Sequence, residues 1–226
     1  VIFFALWMFV VVLAQNLVTL LAFTYAPDAV GAVLTSGGRV SVPLIIINQL
    51  PLLAIGVLGV GLGVRRNFRE TLARLGYGPI TARQLGVVAL FVVAALALEF
   101  AADALFQVLQ PGLYERVGEI TGTTQSPIGL SLASALLFAT VIGLGAAAGE
   151  ETLFRGAVQP ALGIVAASVL WASLHVQYGP SIVVAYIFVL SIALGILRNR
   201  INTTATFIAH AAYNFISVLL TYFLSV

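Results

Sequence analysis

The stretch GEETLFRGAVQPALG, residues 149–163, decides how this chain is read. It opens with two adjacent carboxylates, Glu150 and Glu151, followed by Arg155, yet apolar sequence runs on both sides of it. A charge deep in a bilayer costs about 2.5–3.5 kcal/mol on insertion scales, so it is kept where it pairs or performs chemistry. Glu151 and Arg155 are four residues apart; on a helix they share a face and can pair. Glu150 points about 100° away and has no local partner of that kind. Pro160 and Gly163 then mark a turn. The stretch reads as the end of one spanning helix and the start of the next. One carboxylate is held by the arginine and the other is left for chemistry.

The flanking sequence sets the class. Of 226 residues, 61% are hydrophobic and only 8% are charged, where soluble domains carry about 25% charged residues. Mean hydropathy is +1.12. This is the composition of an integral membrane protein whose first partner is the lipid bilayer. All ten basic residues are Arg, and the net charge of +2 gives no reason to expect nucleic acid. The absence of Cys excludes disulfides, thiolate metal sites and a Cys nucleophile. Val1 already stands inside an apolar run, so the chain is expected to be trimmed at its start, and no A-x-A cleavage site follows a short apolar core.

A spanning helix needs roughly 20 mostly apolar residues. Candidates run over residues 2–25, 42–64, 84–109, 128–159, 164–178, 181–197 and 203–224. The expected fold is an all-α polytopic membrane helical bundle of about seven transmembrane helices, with six to eight the range. It is a single integral membrane domain, 1–226. A Gly-rich loop ending at Arg39 separates the first two spans. Between the second and third, RRNFRETLARLGYGP places Phe68, Leu72 and Leu75 on one helical face and arginines on the other, which predicts a short interfacial helix. A polar loop, PGLYERVGEITGTTQSP, follows the third. Arg65, Arg66, Arg69, Arg74 and Arg83 share one connection, and Arg155, Arg198 and Arg200 fall on the same side, which the positive-inside rule makes cytoplasmic.

The turn near Pro160–Gly163 also brings residues together. Glu150 lies about 12 residues before its centre and His175 about 12 after it, so at 1.5 Å per residue both sit roughly 18 Å from the turn. The next turn falls near Ile201, and His210 and Asn214 follow it by about 9 and 13 residues on one helix face. Both His of the chain, one Asn and the Glu pair thus converge at one depth, in a site expected to face the cytoplasmic half. A buried carboxylate can take a proton from water. Neutral His can bind a metal or hold a water, and Asn can donate to a developing oxyanion.

Three motifs carry a family resemblance: E-E-x-x-x-R at Glu150, Glu151 and Arg155; an aromatic-x-x-x-H at Trp171 and His175; and H-x-x-x-N at His210 and Asn214. With LFRGAVQPALG, SLHVQYG, LGILRNR and IAHAAYNF around them, they resemble the CPBP family of intramembrane proteases, which includes the CAAX prenyl endopeptidases of the Rce1 type and the bacterial Abi proteins. The resemblance makes residues 128–226, the last four spans, a CPBP-like catalytic core, with 1–127 holding the N-terminal spans and the interfacial loop. It implies a membrane protease hydrolysing a peptide bond of a peptide or protein substrate near the cytoplasmic membrane face. Glu150 would activate the water with His175, and His210 and Asn214 would support the oxyanion. Glu151, Arg155 and Trp171 would support the site; Trp171 stands where Phe is commoner and is expected to shape packing beside His175. Zn²⁺ on Glu150, His175 and His210 and a metal-free glutamate mechanism both remain open, since H-E-x-x-H is absent. The Lys-free, Ala/Val/Leu-rich composition points to a bacterial plasma membrane. Two other classes remain: a non-catalytic scaffold or immunity-type binding protein, and a proton-coupled transporter using Glu99, Asp103 and Glu150. Glu99 and Asp103, four residues apart, are otherwise expected to hydrogen-bond near the outer interface. Gly145 with Gly149, and Gly59 with Gly63, are expected to be helix contacts.

Overall fold

The computed structural model describes residues 2–224, which form helices and connections. Helix α1 (Ile2–Tyr25) meets α2 (Pro27–Thr35) at a bend of 120°. The bend follows from Pro27, which pushes the preceding Ala26 out of the helical region to φ −140°, ψ 58°. The sequence reads this segment as loop, but Pro27 in the first turn of α2 suits a helix start. Helix α3 (Val42–Gly59) stops short of the expected residue 64. The chain turns at Gly61 and Gly63, and the Arg66 guanidinium donates to the Val60 carbonyl. Gly63 therefore lies beyond the helix and makes no helix contact with Gly59 as a pair.

Helix α4 (Phe68–Leu75) starts with a reciprocal cap between Asn67 and Glu70. Its interfacial reading holds for one side only. Phe68 is 66% exposed, but Thr71 and Leu75 are fully buried. Thr203 Oγ1 donates to the Leu75 carbonyl at 2.6 Å, and Arg74 reaches the Gly156 carbonyl at 3.5 Å. So α4 closes one end of the bundle. Helix α5 (Ala82–Leu109) crosses to the other end. There α6 (Pro111–Thr124) replaces the expected polar loop. Val117, Ile120 and Thr124 at i, i+3 and i+7 give it one buried face. With Phe23 and Phe106, two of these residues form a small second core at that end.

Helix α7 (Leu132–Ala146) runs back toward the arginine-rich end and widens into a π-helical segment, Ala147–Val158. The Gln159 N–H still bonds five residues back, to Phe154. Helix α8 (Gln159–Ser173) is broken at Gly163, whose φ of 84° and ψ of 172° are open to glycine and reverse the chain. A 3₁₀ turn (Val176–Tyr178) leads to α9 (Ile182–Arg200), and α10 (Thr203–Leu224) closes the bundle. The Gln159 side chain ties the α8 start to Gly195 and Asn199 at 3.0 Å each. At the opposite end the Ile182 N–H bonds Gln110 at 2.9 Å.

The all-α membrane bundle is as expected, but among the described residues length and apolarity pick out five spanning helices, or six if α1 and α2 together make one. Against the expected seven, the spans at 128–159 and 164–178 fall in a single apolar stretch of 42 residues, Leu132–Ser173, that nonetheless turns back on itself at Gly163, and the first span passes only together with α2. Since lipid tails are as apolar as the side chains, the helices are held by close packing and internal polar contacts. The main core draws Leu153, Phe154, Leu170, Trp171, Leu190 and Leu194 together.

Candidate active site

The π segment lies against α3, and one residue without a side chain permits it. A Cβ on Gly149 would stand 2.5 Å from Gln49 Oε1 and 2.9 Å from the Gln49 carbonyl. Gly145 also faces α3, as expected, with Ile45 and Gln49 nearby. This approach sets the Gln49 amide against the next residue, Glu150: Gln49 Nε2 donates to Glu150 Oε1 at 3.3 Å. The other carboxylate oxygen accepts from the Trp171 indole, Nε1 to Oε2, at 2.5 Å. Trp171 is on the return limb of the hairpin, so this bond joins the two limbs the sequence set at equal depth.

The two carboxylates are divided by environment. Glu150 is half-buried and lines a cavity of about 450 Å³. Glu151 is 0% exposed and Arg155 is 1% exposed. Arg155 Nε stands 3.4 Å from Glu151 Oε2, its Nη2 donates to Ser191 at 3.1 Å, and its guanidinium lies 4.7 Å from the Trp171 ring centroid. His210, 4% exposed, sits 2.9 Å from Glu151 Oε1 through Nδ1. A carboxylate accepts, so this Nδ1 carries its hydrogen and Nε2 is the remaining ring atom. His175 is turned in the same sense, its Nδ1 donating to the Trp171 carbonyl at 3.1 Å. A partner on one ring nitrogen fixes what the other presents. Trp171 packs edge-on against both imidazoles, with centroids 5.0 Å from His175 and 5.6 Å from His210. Asn214, one turn beyond His210 on α10, is half-buried and lines the same cavity.

The structure thus brings Glu150, Trp171, His175, His210 and Asn214 to one cavity and sets Glu151 and Arg155 behind it. Sequence reasoning missed Gln49, whose signal was a polar pair, Asn48–Gln49, inside an apolar helix. It also gave Trp171 a packing role alone, where its indole N–H is a donor to Glu150. The cavity extends from this floor toward Val40 and Gln125, at the α2–α6 end. Toward the arginine-rich end Leu75, Phe154, Val158 and Thr203 are all buried. The sequence expects the site to face the cytoplasmic half; the cavity lining extends toward the end away from the arginine cluster.

The expected zinc set, Glu150, His175 and His210, shares the cavity wall without forming a three-ligand group. Among the described residues no three His, Cys, Asp or Glu side chains stand close enough to hold one ion. Glu150 turns its oxygens to Gln49 and Trp171, and His210 turns Nδ1 to Glu151. As placed, these residues do not fit a three-ligand centre.

A helix bundle in the membrane, with a carboxylate, two imidazoles and an amide around an internal cavity, has the parts of an intramembrane hydrolase. Residues 131–216 match the family described as type II CAAX prenyl endopeptidase, Rce1-like. The match contains the three motifs from Glu150 to Asn214 and leaves out α3 and α5. No curated protein and no solved structure matches the chain.

Proposed function

We propose that the protein is an intramembrane endopeptidase in which Glu150 is the base that activates water. The observation that carries this is the division between the two carboxylates: Glu151 is sealed against Arg155 and His210, while Glu150 is held by two donors at the cavity wall. In the proposed reaction a water between Glu150 and His175 gives a proton to Glu150, and its oxygen attacks the peptide carbonyl. The Asn214 side-chain amide donates to the resulting oxyanion. Glu150 then returns the proton to the leaving nitrogen, the C–N bond breaks, and a carboxylate and an amine result. His210, fixed by Glu151 through Nδ1, presents Nε2 as a further support at the same cavity.

The substrate segment enters from the α2–α6 end, because the cavity reaches Val40 and Gln125 there and is closed below Arg155. If the arginines mark the cytoplasm, that entrance is extracytoplasmic, the reverse of the reading from sequence. Labelling single cysteines at Gln125 and Arg69 in intact cells with an impermeant maleimide tests this. Gln125 alone should react; labelling of Arg69 alone would reverse the topology. The activity is tested with the purified chain in detergent and a quenched-fluorescence peptide library, with metal content measured on the same samples. Cleavage by wild type and none by Glu150→Ala is expected. Equal cleavage by both would overturn the assignment, and activity that follows bound zinc through removal and return would replace the metal-free steps.

A further inference from the structure

The cavity has a second carboxylate. Glu99, on α5, is half-buried and lines it, whereas Asp103, one turn on, is exposed and does not. Of the two residues expected to hydrogen-bond near the outer interface, only Glu99 therefore faces the cavity. Ser217 Oγ donates to Glu99 Oε1 at 2.8 Å. Among the described residues no Arg or His forms an ion pair with Glu99, and no Arg lines the cavity. The chain has no Lys. The Tyr213 hydroxyl is a second neutral donor to it. A carboxylate inside a spanning helix with only neutral hydroxyl groups for company is a marked choice, because such groups usually pair or serve a pathway. Tyr178 and Tyr213 line the same space, and the Tyr213 hydroxyl accepts from that of Tyr186 at 3.0 Å. A cavity carboxylate without a basic partner suits a cation.

Its place along the cavity is set by α10. Ser217 follows His210 by seven residues and Asn214 by three, on the same helix face, which puts it about 10 Å from His210 toward the α2–α6 end. An extended peptide covers about 3.3–3.6 Å per residue, so about 10 Å corresponds to three residues. Resting on the endopeptidase reading, we propose that Glu99 is a specificity-determining residue that binds a cationic group of the substrate about three residues from the scissile bond. The group is an Arg or Lys side chain, or the N-terminal amine of a short peptide. Glu99 lies on α5, outside the Rce1-like match at 131–216, so the selectivity is added to the catalytic segment from a helix it does not include.

The test uses the full chain in detergent and fluorogenic octapeptides with a single Arg moved through each position. Citrulline replaces Arg in a matched set, and each peptide is made with a free and an acetylated N-terminus. Wild type and Glu99→Gln are compared by the kcat/KM ratio of Arg to citrulline, and Glu150→Ala gives the same ratio as Kd by fluorescence anisotropy. A charge-assisted hydrogen bond predicts a ratio of about tenfold or more at one position in wild type, lost in Glu99→Gln. A preference that follows the free terminus and not the Arg would assign the group to the amine. No preference in wild type, or the same preference in Glu99→Gln, overturns the proposal, and the wild-type result stands even if the variant does not fold. Cleavage without preference removes the subsite and leaves the peptidase. Selective binding by Glu150→Ala with no cleavage by wild type keeps the subsite and removes the peptidase.

Discussion

Replacing Arg155 with Ala should unfold this protein more readily than any loss of surface charge. Arg155 and Glu151 are 1% and 0% exposed and 3.4 Å apart. Removing one partner of a buried pair costs about 3–5 kcal/mol, because the other charge is left uncompensated. Arg155→Ala also loses the Ser191 hydrogen bond and the contact with the Trp171 ring. The Asp28–Arg116 pair provides the control. Its side chains are 88% and 34% exposed, and a pair of that kind contributes about 0–1 kcal/mol. Equilibrium unfolding in mixed micelles should therefore show a loss of about 3–5 kcal/mol for Arg155→Ala and under about 1 kcal/mol for Arg116→Ala. The double variant Glu151→Gln, Arg155→Met removes both charges and should recover much of the difference. Equal effects of the two Arg variants would refute the division of carboxylates on which the site is built.

Three further outcomes follow from the geometry. Trp171→Phe keeps a ring between the imidazoles but removes the donor to Glu150, which should lower kcat by about tenfold or more with the fold retained; an unchanged kcat would return Trp171 to a packing role. Gly149→Ala drives a Cβ into Gln49 backbone and side chain and should cost about 1–3 kcal/mol in the same unfolding assay, together with reduced activity as Gln49 shifts. Burial raises the Tyr77 phenol above its usual value near 10, against its hydrogen bond to Thr152. The neutral phenol is the form the fold prefers, so this stabilisation is present below pH 10 and is lost as pH rises through the raised folded value. Tyr77→Phe should flatten the alkaline arm of a stability profile, and an unchanged arm would contradict this.

The sequence made the helical hairpin legible because two different signals, charge in an apolar run and Pro160 with Gly163, fell at matching distances. Counting 1.5 Å per residue placed Glu150 and His175 at one depth, and the structure has both against Trp171. Helices α2 and α6 were not legible: their polar residues look like loop until α6 is seen turning Val117 and Ile120 onto Phe106. Gln49 could not be found by spacing, since its approach to Glu150 depends on how α3 packs at Gly149. The end toward which the cavity extends was not legible for a related reason. Arginine bias reports which end stays in the cytoplasm, and says nothing about which end of the bundle the side chains seal.

The central claim is that Glu150, and not its neighbour, is the base. The most direct measurement is the single-turnover cleavage rate of Glu150→Gln beside wild type, on whichever library peptide wild type cuts fastest, with unfolding of both followed in the same detergent. The substitution keeps the shape and an oxygen for Trp171 but cannot take a proton. The account predicts a protein as stable as wild type within about 1 kcal/mol and slower by about 10²–10⁴. A folded Glu150→Gln that cleaves at the wild-type rate would contradict it.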